Sequence, residues 1–370
     1  MLLKKWSDIL TIVNGKNQKD VVSPDGQYPI YGSGGVIGCA SSYLCEAGTT
    51  IIGRKGTINS PIFVDKKFWN VDTAFGISPG KELIPKFLYY FCCSFNFTEL
   101  DKSTTIPSLA KRDLLQIKMP VPSIEEQERI VSKIEELFSR LDASVAELQT
   151  AKEKLKVYRQ AVLKEALSSK EGWHKYHFSD LMEGVRNGCG KKPDDSGKYR
   201  ILRISSVRPG KVDLSDYRTN QAPFDKSDLI AENDLLFTRY NGSLEYVGVC
   251  ACVPQLQENY AYPDKIIKCT PKLKNKYHSK FIQYCMNQGQ VREYIRSKIK
   301  TTSGQKGIAG SDIKKAVLWL PELSVQEIIV KKIDAEMSVC NSIEQAIDAS
   351  LRQAEALRQS ILKQAFEGEL

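Results

Sequence analysis

One phrase occurs twice in this chain, as VYRQAVLKEAL at residues 157–167 and as ALRQSILKQAF at residues 356–366. The copies lie 199 residues apart, and the same offset relates PSIEEQERIV at 122–131 to PELSVQEIIV at 321–330. A slip of one residue would rotate the buried face of a helix by about 100°. A register that is held without insertion therefore predicts a rigid helix in each copy.

The spacing of apolar residues supports two long helices. Apolar residues recur every three or four positions in both copies, with charged residues between them, which is typical of a coiled-coil seam. Pro122 and Pro321 mark where each helix is expected to begin, and Ser123–Glu126 and Ser324–Glu327 each fit the S-x-x-E capping box. A helix from about 124 to 167 would be about 66 Å long, whereas the alternative, a core helix of one small domain, is shorter. The predicted seam positions are Ile130, Ile134, Leu137, Leu141, Val145, Leu148, Ala151, Leu155, Tyr158 and Val162 in the first copy, and Ile329, Ile333, Met337, Cys340, Ile343, Ile347, Leu351, Ala354, Leu357 and Ile361 in the second.

Two such helices can bury their stripes by packing against each other, and a globular segment between them makes an antiparallel pair the easiest arrangement. We therefore expect an α+β protein with two globular domains of mixed α/β structure, separated by two long antiparallel helices that form a coiled coil. This arrangement is a pseudo-two-fold repeat, pictured as a rod with a globe at each end. The predicted boundaries are 1–121 for the first globular domain, 122–170 for the first spacer helix, 171–320 for the second globular domain and 321–370 for the second spacer helix.

Charge is unevenly distributed between these segments. Residues 1–121 carry a formal charge of +4 and residues 171–320 carry +9, whereas the helical segments carry 0 and −4. Positive charge on the globular parts alone is what attraction to a phosphate backbone would favour. A well-solvated lysine-rich surface is the alternative.

Composition narrows the environment of the protein. No apolar run approaches the roughly 18 residues needed to span a bilayer, so we expect a soluble, cytoplasmic protein without membrane contact. The ten cysteines match no zinc-binding spacing, so mostly buried, reduced thiols are expected.

The globular segments also repeat, though more loosely. SDILTIVNGK at 7–16 is similar to SDLMEGVRNG at 179–188, Lys86-Phe87 to Lys280-Phe281, and Thr104-Thr105 to Thr301-Thr302. The offset drifts from 172 to 199, so we expect insertions within the globes and none within the helices.

Taken in order, these motifs resemble the specificity subunits of type I restriction-modification systems, over essentially the whole chain. The doubled helix entry and its Arg-Gln exit carry the resemblance, together with YPIYGSGGVIG (28–38), IIGRKGTINSPIF (51–63), FWNVDTAFGI (68–77) and TTIPSLAKRDLLQI (104–117). The second globe departs further from the pattern, with LLFTRYNGSLEYVGV at 235–249.

The resemblance implies a DNA-binding function shared with partners. Each globular domain would be a target-recognition domain that reads one half of a split double-stranded DNA site, and the helical pair would set the unread spacer. It also implies methyltransferase (modification) subunits, two in number, that carry S-adenosylmethionine and methylate adenine. Restriction (motor-nuclease) subunits would use ATP and Mg²⁺, and this chain itself would hold no cofactor.

The residues themselves favour DNA contact at the ends of two strands. Thr50–Gly53 would deliver Arg54 and Lys55 into a glycine-bounded loop, and Leu235–Thr238 would deliver Arg239 and its neighbours in the same way. Arginine bonds guanine bidentately, asparagine bonds adenine, and tyrosine stacks or bonds phosphate. The alternatives are a salt bridge between Arg54 and Asp72 and a core position for Trp69. The predicted DNA-binding residues are Arg54, Lys55, Thr57, Thr104, Thr105, Lys111, Arg203, Arg239, Tyr240, Asn241, Thr302, Gln305 and Lys306, the threonine-containing loops being candidates for phosphate contact.

Partner contact is predicted for the Arg-Gln pairs away from the seam, namely Arg159, Gln160, Arg358 and Gln359. The alternative is that they cap the coiled coil.

No catalytic or metal-binding constellation is expected. GSGGVIG at 32–38 lacks the acidic residue of a dinucleotide site, no Walker phosphate loop is present, and Asn59-Ser60-Pro61-Ile62 differs from the Asn-Pro-Pro-aromatic motif of amino-methyltransferases. We therefore predict a non-catalytic subunit. A coiled-coil scaffold with peptide-binding globes is the main alternative function, and a stand-alone nuclease or methyltransferase is the other.

Overall fold

The computed structural model of the chain describes residues 2–168, 171–272, 277–302 and 305–369, with side chains for all of these except Thr302. These residues form two compact units. Unit 1 consists of Met1–Ala151 and Ala346–Leu370, and unit 2 of Lys152–Gln345. Each long helix is therefore shared between the units.

Short strands and helices build the body of unit 1. They are β1 (Leu3–Lys5), α1 (Trp6–Ile9), β2 (Leu10–Asn14), β3 (Tyr28–Gly32), β4 (Gly35–Ala40), β5 (Thr49–Gly53), β6 (Ile62–Val64), β7 (Trp69–Asn70), β8 (Ala74–Pro79), α2 (Pro85–Ser94), α3 (Lys111–Leu114) and β9 (Lys118–Pro120). The long helix α4 (Ile124–Ala166) follows and runs on into unit 2.

Unit 2 contains more elements. They are β10 (His174–His177), α5 (Phe178–Leu181), β11 (Met182–Asn187), β12 (Tyr199–Leu202), β13 (Val207–Arg208), β14 (Lys211–Val212), β15 (Tyr217–Asn220), β16 (Leu235–Thr238), β17 (Tyr240–Asn241), β18 (Cys250–Cys252), β19 (Tyr260–Ala261), β20 (Ile266–Pro271), α6 (Ser279–Asn287), α7 (Gly289–Ser297), β21 (Lys300–Thr302), β22 (Gln305–Gly307), α8 (Gly310–Lys314) and β23 (Val317–Leu320). The second long helix, α9 (Leu323–Glu367), runs from unit 2 into unit 1.

The two units repeat one arrangement of sheets. A four-stranded antiparallel sheet has the order β2-β8-β5-β6 in unit 1 and β11-β20-β16-β18 in unit 2. A three-stranded sheet, β4-β3-β7 or β15-β12-β19, accompanies it and has one parallel pair in each unit. This confirms the predicted α+β class with an internal repeat.

Extra elements in unit 2 explain the drifting offset between the globular segments. Unit 2 adds the β13–β14 hairpin, the β17-β22-β21 sheet and helix α7. A β-bulge between Met182 and Gly184 adds one more residue at the start of its main sheet. The predicted insertions therefore lie in the globular parts, where loops differ.

A hydrophobic core joins each main sheet to the helices that cover it. In unit 1, Trp6, Phe75 and Phe87 are buried together with Ile130 of α4 and Ile361 of α9. In unit 2, the corresponding core includes Phe178, Phe237, Phe281 and Val330 of α9. The apolar stripe of each long helix is thus partly buried against a sheet domain as well as against the other helix.

The long helices are antiparallel. In unit 1, Arg358 of α9 pairs with Asp142 of α4, and in unit 2 Arg159 of α4 donates to Asn341 of α9 at 2.8 Å. Residue numbers rise along one helix as they fall along the other, which is the predicted antiparallel coiled coil. Both pairs are related by the 199-residue offset, so the repeat extends to individual side-chain contacts.

The predicted seam is wrong at four positions. Ala151, Tyr158, Ile343 and Leu357 are exposed. Their neighbours, Lys152, Arg159, Glu344 and Arg358, are half-buried in their place. Sequence reasoning favoured apolar residues, but long charged side chains can cover a seam with their aliphatic stems while their charged ends pair at its edge.

The two capping boxes also differ. Ser123 Oγ accepts from the amide of Glu126 at 3.3 Å, so the first box is present in part. Helix α9 begins at Leu323, so Ser324 lies inside the first turn and not at the N-cap that the capping box requires. The first backbone bonds are the same at both ends, since the Gln127 amide donates to Ser123 O at 2.9 Å and the Gln326 amide to Glu322 O at 3.1 Å.

Candidate nucleic-acid interface

An arginine follows the same buried strand in both units. Strand β5 in unit 1 and strand β16 in unit 2 are buried along their whole length. The Arg54 amide donates to Thr73 O at 2.8 Å, and the Arg239 amide donates to Lys265 O at 2.8 Å. The carbonyl of each arginine accepts in turn, from Leu109 at 2.9 Å and from Ile308 at 3.0 Å. Two matching hydrogen bonds therefore fix Arg54 and Arg239 at one equivalent position.

Around Arg54 the loop is tight and its side chains point to solvent. Arg54, Lys55 and Thr57 are exposed. Gly56 has φ +80° and donates to Pro107 O at 2.9 Å, so a glycine suits this turn. The Arg54 guanidinium lies 5.7 Å from the centre of the Phe75 ring. Within the described residues Arg54 forms no ion pair with Asp72, so the charge faces outward.

The threonine loop of unit 1 is held beside this turn. Lys55 and Ser108 form a β-bridge between the two segments. Asp101 Oδ1 accepts from the amides of Ser103 at 2.9 Å and Ser108 at 3.1 Å. The bond from the Ser103 hydroxyl, together with these two amide bonds, holds the pKa of Asp101 below its usual range. Thr104 and Thr105 are exposed at the tip of the loop.

Lys111 lies differently from the other candidates in unit 1. Its Nζ turns inward and donates to Ile12 O of strand β2 at 2.7 Å. Asn14, at the end of the same strand, lines one cleft together with Arg54, Lys102 and Arg112. This cleft lies at the ends of β2 and β5. Asp113 also lines it and pairs with Lys102 at 3.1 Å and with Arg112 at 3.4 Å.

The equivalent loop of unit 2 is built into a small sheet. Tyr240 and Asn241 form β17 and pair with Gly307 and Lys306 of β22. Arg239 Nη1 donates to Asp264 O at 3.3 Å, and its guanidinium lies 4.7 Å from the centre of the Tyr240 ring. A Cβ at Gly307 would lie 2.3 Å from that ring, so glycine is required there. The predicted residues Arg239, Tyr240, Asn241, Gln305 and Lys306 thus lie together.

Two candidates in unit 2 stand apart from this group. Backbone pairing places Thr302 opposite Gln305, but its side chain lies outside the described residues, as do Ser303 and Gly304 of the predicted loop. Arg203 follows β12 in the other sheet and its Nε lies 3.6 Å from Asp216. Arg203 thus follows a strand of the three-stranded sheet, whereas Arg239 follows a strand of the four-stranded sheet.

Sequence reasoning missed the Asn-Gly pairs that end β2 and β11. The amide of Gly15 donates to Ala74 O, and that of Gly188 donates to Ile266 O, both at 3.2 Å. The two positions are therefore equivalent, and the bulge in β11 makes their offset 173 instead of the 172 assumed from the motif. The shared Asn-Gly dipeptide was the available signal. Asn14 lines the cleft that also contains Arg54. Asn187 pairs with Ile267 of β20, next to Ile266, the partner of Thr238 at the end of β16.

The four candidate partner-binding residues differ in exposure. Arg159 and Arg358 are half-buried and contact the opposite long helix. Gln160 and Gln359 are exposed. Only the glutamines therefore present their side chains outward.

The structure also bears on Trp69, the cysteines, membrane spans and metal ligands. Trp69 is buried and its Nε1 donates to Lys16 O at 3.1 Å, which confirms a core position. Six of the cysteines are buried, and burial raises the pKa of Cys45 and of Cys285 to about 12. In the part of the chain that the structure describes, no helix is long and apolar enough to cross a bilayer. The same residues contain no group of three or more His, Cys, Asp or Glu side chains placed to hold a metal ion.

Comparisons with known proteins converge on one family. The sequence model described as "Type I restriction modification DNA specificity domain" matches residues 3–153 and 170–353. The chain is 35% identical over 316 residues to the EcoKI specificity subunit of Escherichia coli K12, spanning 80% of this chain and 67% of that one. It is 27% identical over 312 residues to the StySPI specificity subunit of Salmonella potsdam, with the same coverage.

Solved structures show the same fold. One, described as the structural basis of complex assembly and conformational transition of a type I restriction-modification system, covers 100% of this chain and 98% of its own, with a TM-score of 0.77 and 16% identity. The HsdS subunit from Thermoanaerobacter tengcongensis covers 100% of this chain and 97% of its own, with a TM-score of 0.55 and 16% identity. Together with the two matched domains and the identity to EcoKI, the repeated fold shows that this chain belongs to the family of type I restriction-modification specificity subunits.

Proposed function

We propose that unit 1 and unit 2 each read one half of a bipartite double-stranded DNA site. The chain has the DNA sequence-specificity role of its family. The observation that carries the proposal is the matching pair of arginines, Arg54 and Arg239, held by the same two backbone bonds at the end of equivalent buried strands. We call Arg54 and Arg239 the reading positions, and the end of the sheet that carries each of them the reading end of its unit. Each reading end would contact one half-site.

The side chains at these positions have the chemistry that base reading needs. Arg54 and Arg239 can each bond a guanine edge bidentately, and Asn14 and Asn241 can each bond an adenine edge. Lys55, Thr104, Thr105, Gln305 and Lys306 are near enough in the fold to contact phosphates, which fix register without reading sequence. The backbone bonds fix the positions of Arg54 and Arg239. In unit 2, Arg239 Nη1 donates to Asp264 O at 3.3 Å and Asn241 Oδ1 accepts from the Ser243 amide at 2.9 Å, so base contact there would share or replace these bonds.

The two long helices set the distance between the half-sites and hold the partners. The repeated face on α4 and α9, with Gln160 and Gln359 exposed, offers the same surface twice. Two methyltransferase subunits, each carrying S-adenosylmethionine, would bind there and methylate adenine. Restriction subunits that use ATP and Mg²⁺ would complete the enzyme. The solved structure that describes complex assembly of a type I system supports partners of this kind.

This chain would itself hold no cofactor and catalyse no step. It acts in the cytoplasm, where the DNA that it reads is found. The scaffold alternative, with peptide-binding globes, finds no support among the relatives.

The direct test is to express the chain with its modification subunit and to map methylated adenines on genomic DNA. We expect a split motif with one fixed gap. Scattered methylation would contradict the proposal. So would a contiguous motif, because two reading positions separated by long helices require an unread gap.

Changing Arg239 to alanine should alter or weaken recognition of one half-site only. A lost bidentate arginine–guanine contact is worth about 1–3 kcal/mol of discrimination, so the preference for the right base pair at that one position should fall by about 5- to 150-fold. Mapping methylated motifs measures this, with Arg54→Ala as the matched variant for the other half-site. If both halves respond to Arg239→Ala, the assignment of one half-site to each unit is wrong.

An insertion into one long helix tests the spacing role. Seven residues, about two helical turns, inserted into α4 near residue 151 lengthen one helix by about 10 Å but leave its facing register almost unchanged. We expect a changed gap or a loss of assembly with the modification subunit. A variant that assembles and methylates the original motif would contradict the spacing role.

A further inference from the structure

A cluster of four side chains joins the sheet domain to the long helix in each unit, away from the reading end. In unit 1 it consists of Lys86 and Tyr90 on α2 with Gln127 and Glu135 on α4, which we name clamp 1. In unit 2 it consists of Lys280 and Tyr284 on α6 with Gln326 and Asp334 on α9, which we name clamp 2. The two residues on the long helix, Gln127 and Glu135, are related to Gln326 and Asp334 by the 199-residue offset. Clamp 2 is therefore the repeat of clamp 1.

Clamp 2 makes two attachments. Gln326 is only 1% exposed; its Oε1 accepts from the amide of His278 at 3.0 Å and its Nε2 donates to Pro321 O at 2.8 Å. His278 is the residue before α6, so this bond ties the start of the short helix to the long one. Two turns further on, Asp334 accepts from Lys280 Nζ at 2.6 Å and from the Tyr284 hydroxyl at 2.5 Å.

Clamp 1 repeats these contacts. Gln127 is fully buried; its Oε1 accepts from the amide of Ile84 at 2.9 Å, and Ile84 precedes α2. Its Nε2 donates to Glu82 O at 2.8 Å and to Pro122 O at 3.1 Å. Glu135 pairs with Lys86 and accepts from the Tyr90 hydroxyl at 3.4 Å. Burial, together with Glu135, raises the pKa of Tyr90 to about 12, so it stays a donor.

Two attachments hold a helix more firmly than one. The glutamine and the carboxylate lie eight residues apart on the long helix, which is about 12 Å along its axis. A single attachment point would let the short helix pivot, whereas two points at this separation fix its direction. The buried glutamine cannot move without leaving a buried amide unpaired, which is costly.

The clamps have no direct link to the reading end. In the described part of the chain, no hydrogen bond or ion pair connects either clamp to Arg54, Arg239, Tyr240 or Asn241. If the clamps influence DNA recognition, they do so through the direction in which they hold each sheet domain on its long helix. Neighbouring base pairs differ by about 3.4 Å along the axis and about a tenth of a turn, so a small pivot changes which gap fits.

We propose that clamp 1 and clamp 2 determine how strictly the gap between the two half-sites is enforced, while leaving the bases in each half-site unchanged. Lys280, Tyr284, Lys86 and Tyr90 are positioning residues in this proposal. It rests on the proposed function, since it assumes two half-sites separated by a gap.

The test weakens one clamp without touching its buried glutamine. The double variant Lys280→Met with Tyr284→Phe removes both donors to Asp334 from partly exposed positions. The double variant Lys86→Met with Tyr90→Phe does the same in unit 1. Lys332→Met, an exposed position on α9 two residues before Asp334, is the control for loss of one positive charge. Each is assembled with the modification subunit and assayed on duplexes whose gap is lengthened or shortened by one or two base pairs.

We expect each double variant to methylate the original half-sites with its preference for the original gap reduced about tenfold, the effect of losing hydrogen bonds to a charged group. The control should keep the wild-type preference. An unchanged gap preference in both double variants would overturn the proposal, as would a change in the bases recognised. Loss of methylation at every gap, by a variant that unfolds at the same temperature as the control, would overturn it too. A wild-type complex without a split motif would instead refute the proposed function.

Discussion

At the scale of the residue, a buried arginine supports the chain beside the proposed reading position of unit 2. Arg292 on α7 is 7% exposed, and its guanidinium donates to Val247 O at 2.9 Å and to Glu245 O at 2.7 Å. Burial, with nearby Arg296, lowers the pKa of Arg292 to about 10, so it remains charged at neutral pH. Arg292 therefore anchors the segment around Glu245 and Val247, which follows Tyr240 and Asn241 in the chain.

Replacing Arg292 with methionine should loosen this segment. The change keeps apolar bulk but leaves two carbonyls without their donors, so we expect the free energy of unfolding to fall by about 1–3 kcal/mol. Amide hydrogen exchange across residues 243–248 should become faster. Mass spectrometry of exchange measures this, and Arg296→Met, an exposed arginine one turn later, is the control. Equal exchange in the two variants would show that Arg292 does not hold the segment.

The strand ends with their arginines could be predicted because each is a local pattern: a run of β-branched and apolar residues followed by a cation and a glycine or asparagine. Lys111 shows the limit of such reasoning, since a lysine in a basic loop looks like a phosphate ligand whether or not it turns inward to Ile12 O. Arg292 gave no signal at all, because its partners are backbone carbonyls about 45 residues away in the sequence.

At the scale of the element, the seam between α4 and α9 carries matched polar pairs. Arg358 pairs with Asp142 and lies 4.3 Å above the centre of the Phe138 ring. The equivalent pair, Arg159 with Asn341, lacks the carboxylate at that position, although Arg159 also pairs with Glu344 at 2.9 Å. The repeat was enough to predict that two helices exist and how long they are. Which of two adjacent residues lies in the seam depends on these cross-helix pairs, and the spacing of apolar residues does not reveal them.

Exchanging the two acceptors should have opposite effects. Asn341→Asp adds a charge opposite Arg159 and should raise the free energy of unfolding, whereas Asp142→Asn should lower it, each by about 0.2–1 kcal/mol. Thermal unfolding at low salt measures both. At about 1 M salt, where the screening length is about 3 Å, the differences should largely disappear. A destabilising Asn341→Asp at low salt would contradict the equivalence of the two pairs.

At the scale of the whole molecule, the chain contains two copies of one arrangement of sheets and helices. The constant 199-residue offset predicted the helices and the α+β class, because an insertion of a single residue would rotate the buried face of a helix by about 100°. The elements special to unit 2, the β17-β22-β21 sheet and α7, could not be predicted, since insertions in loops follow no periodic pattern. The resemblance of ordered motifs to a known family supplied the function that composition and charge left open.

The clamp residues, which attach each sheet domain to its long helix, are different from the residues of the loops at the reading end. Substitutions around Arg54 or Arg239 can therefore accumulate without disturbing the buried glutamines that attach the sheet domains to their helices. On the proposed function, a change at one end of one sheet would alter one half-site, and a descendant would keep the other half of its ancestral site. Diversity of targets would then arise at little risk to folding.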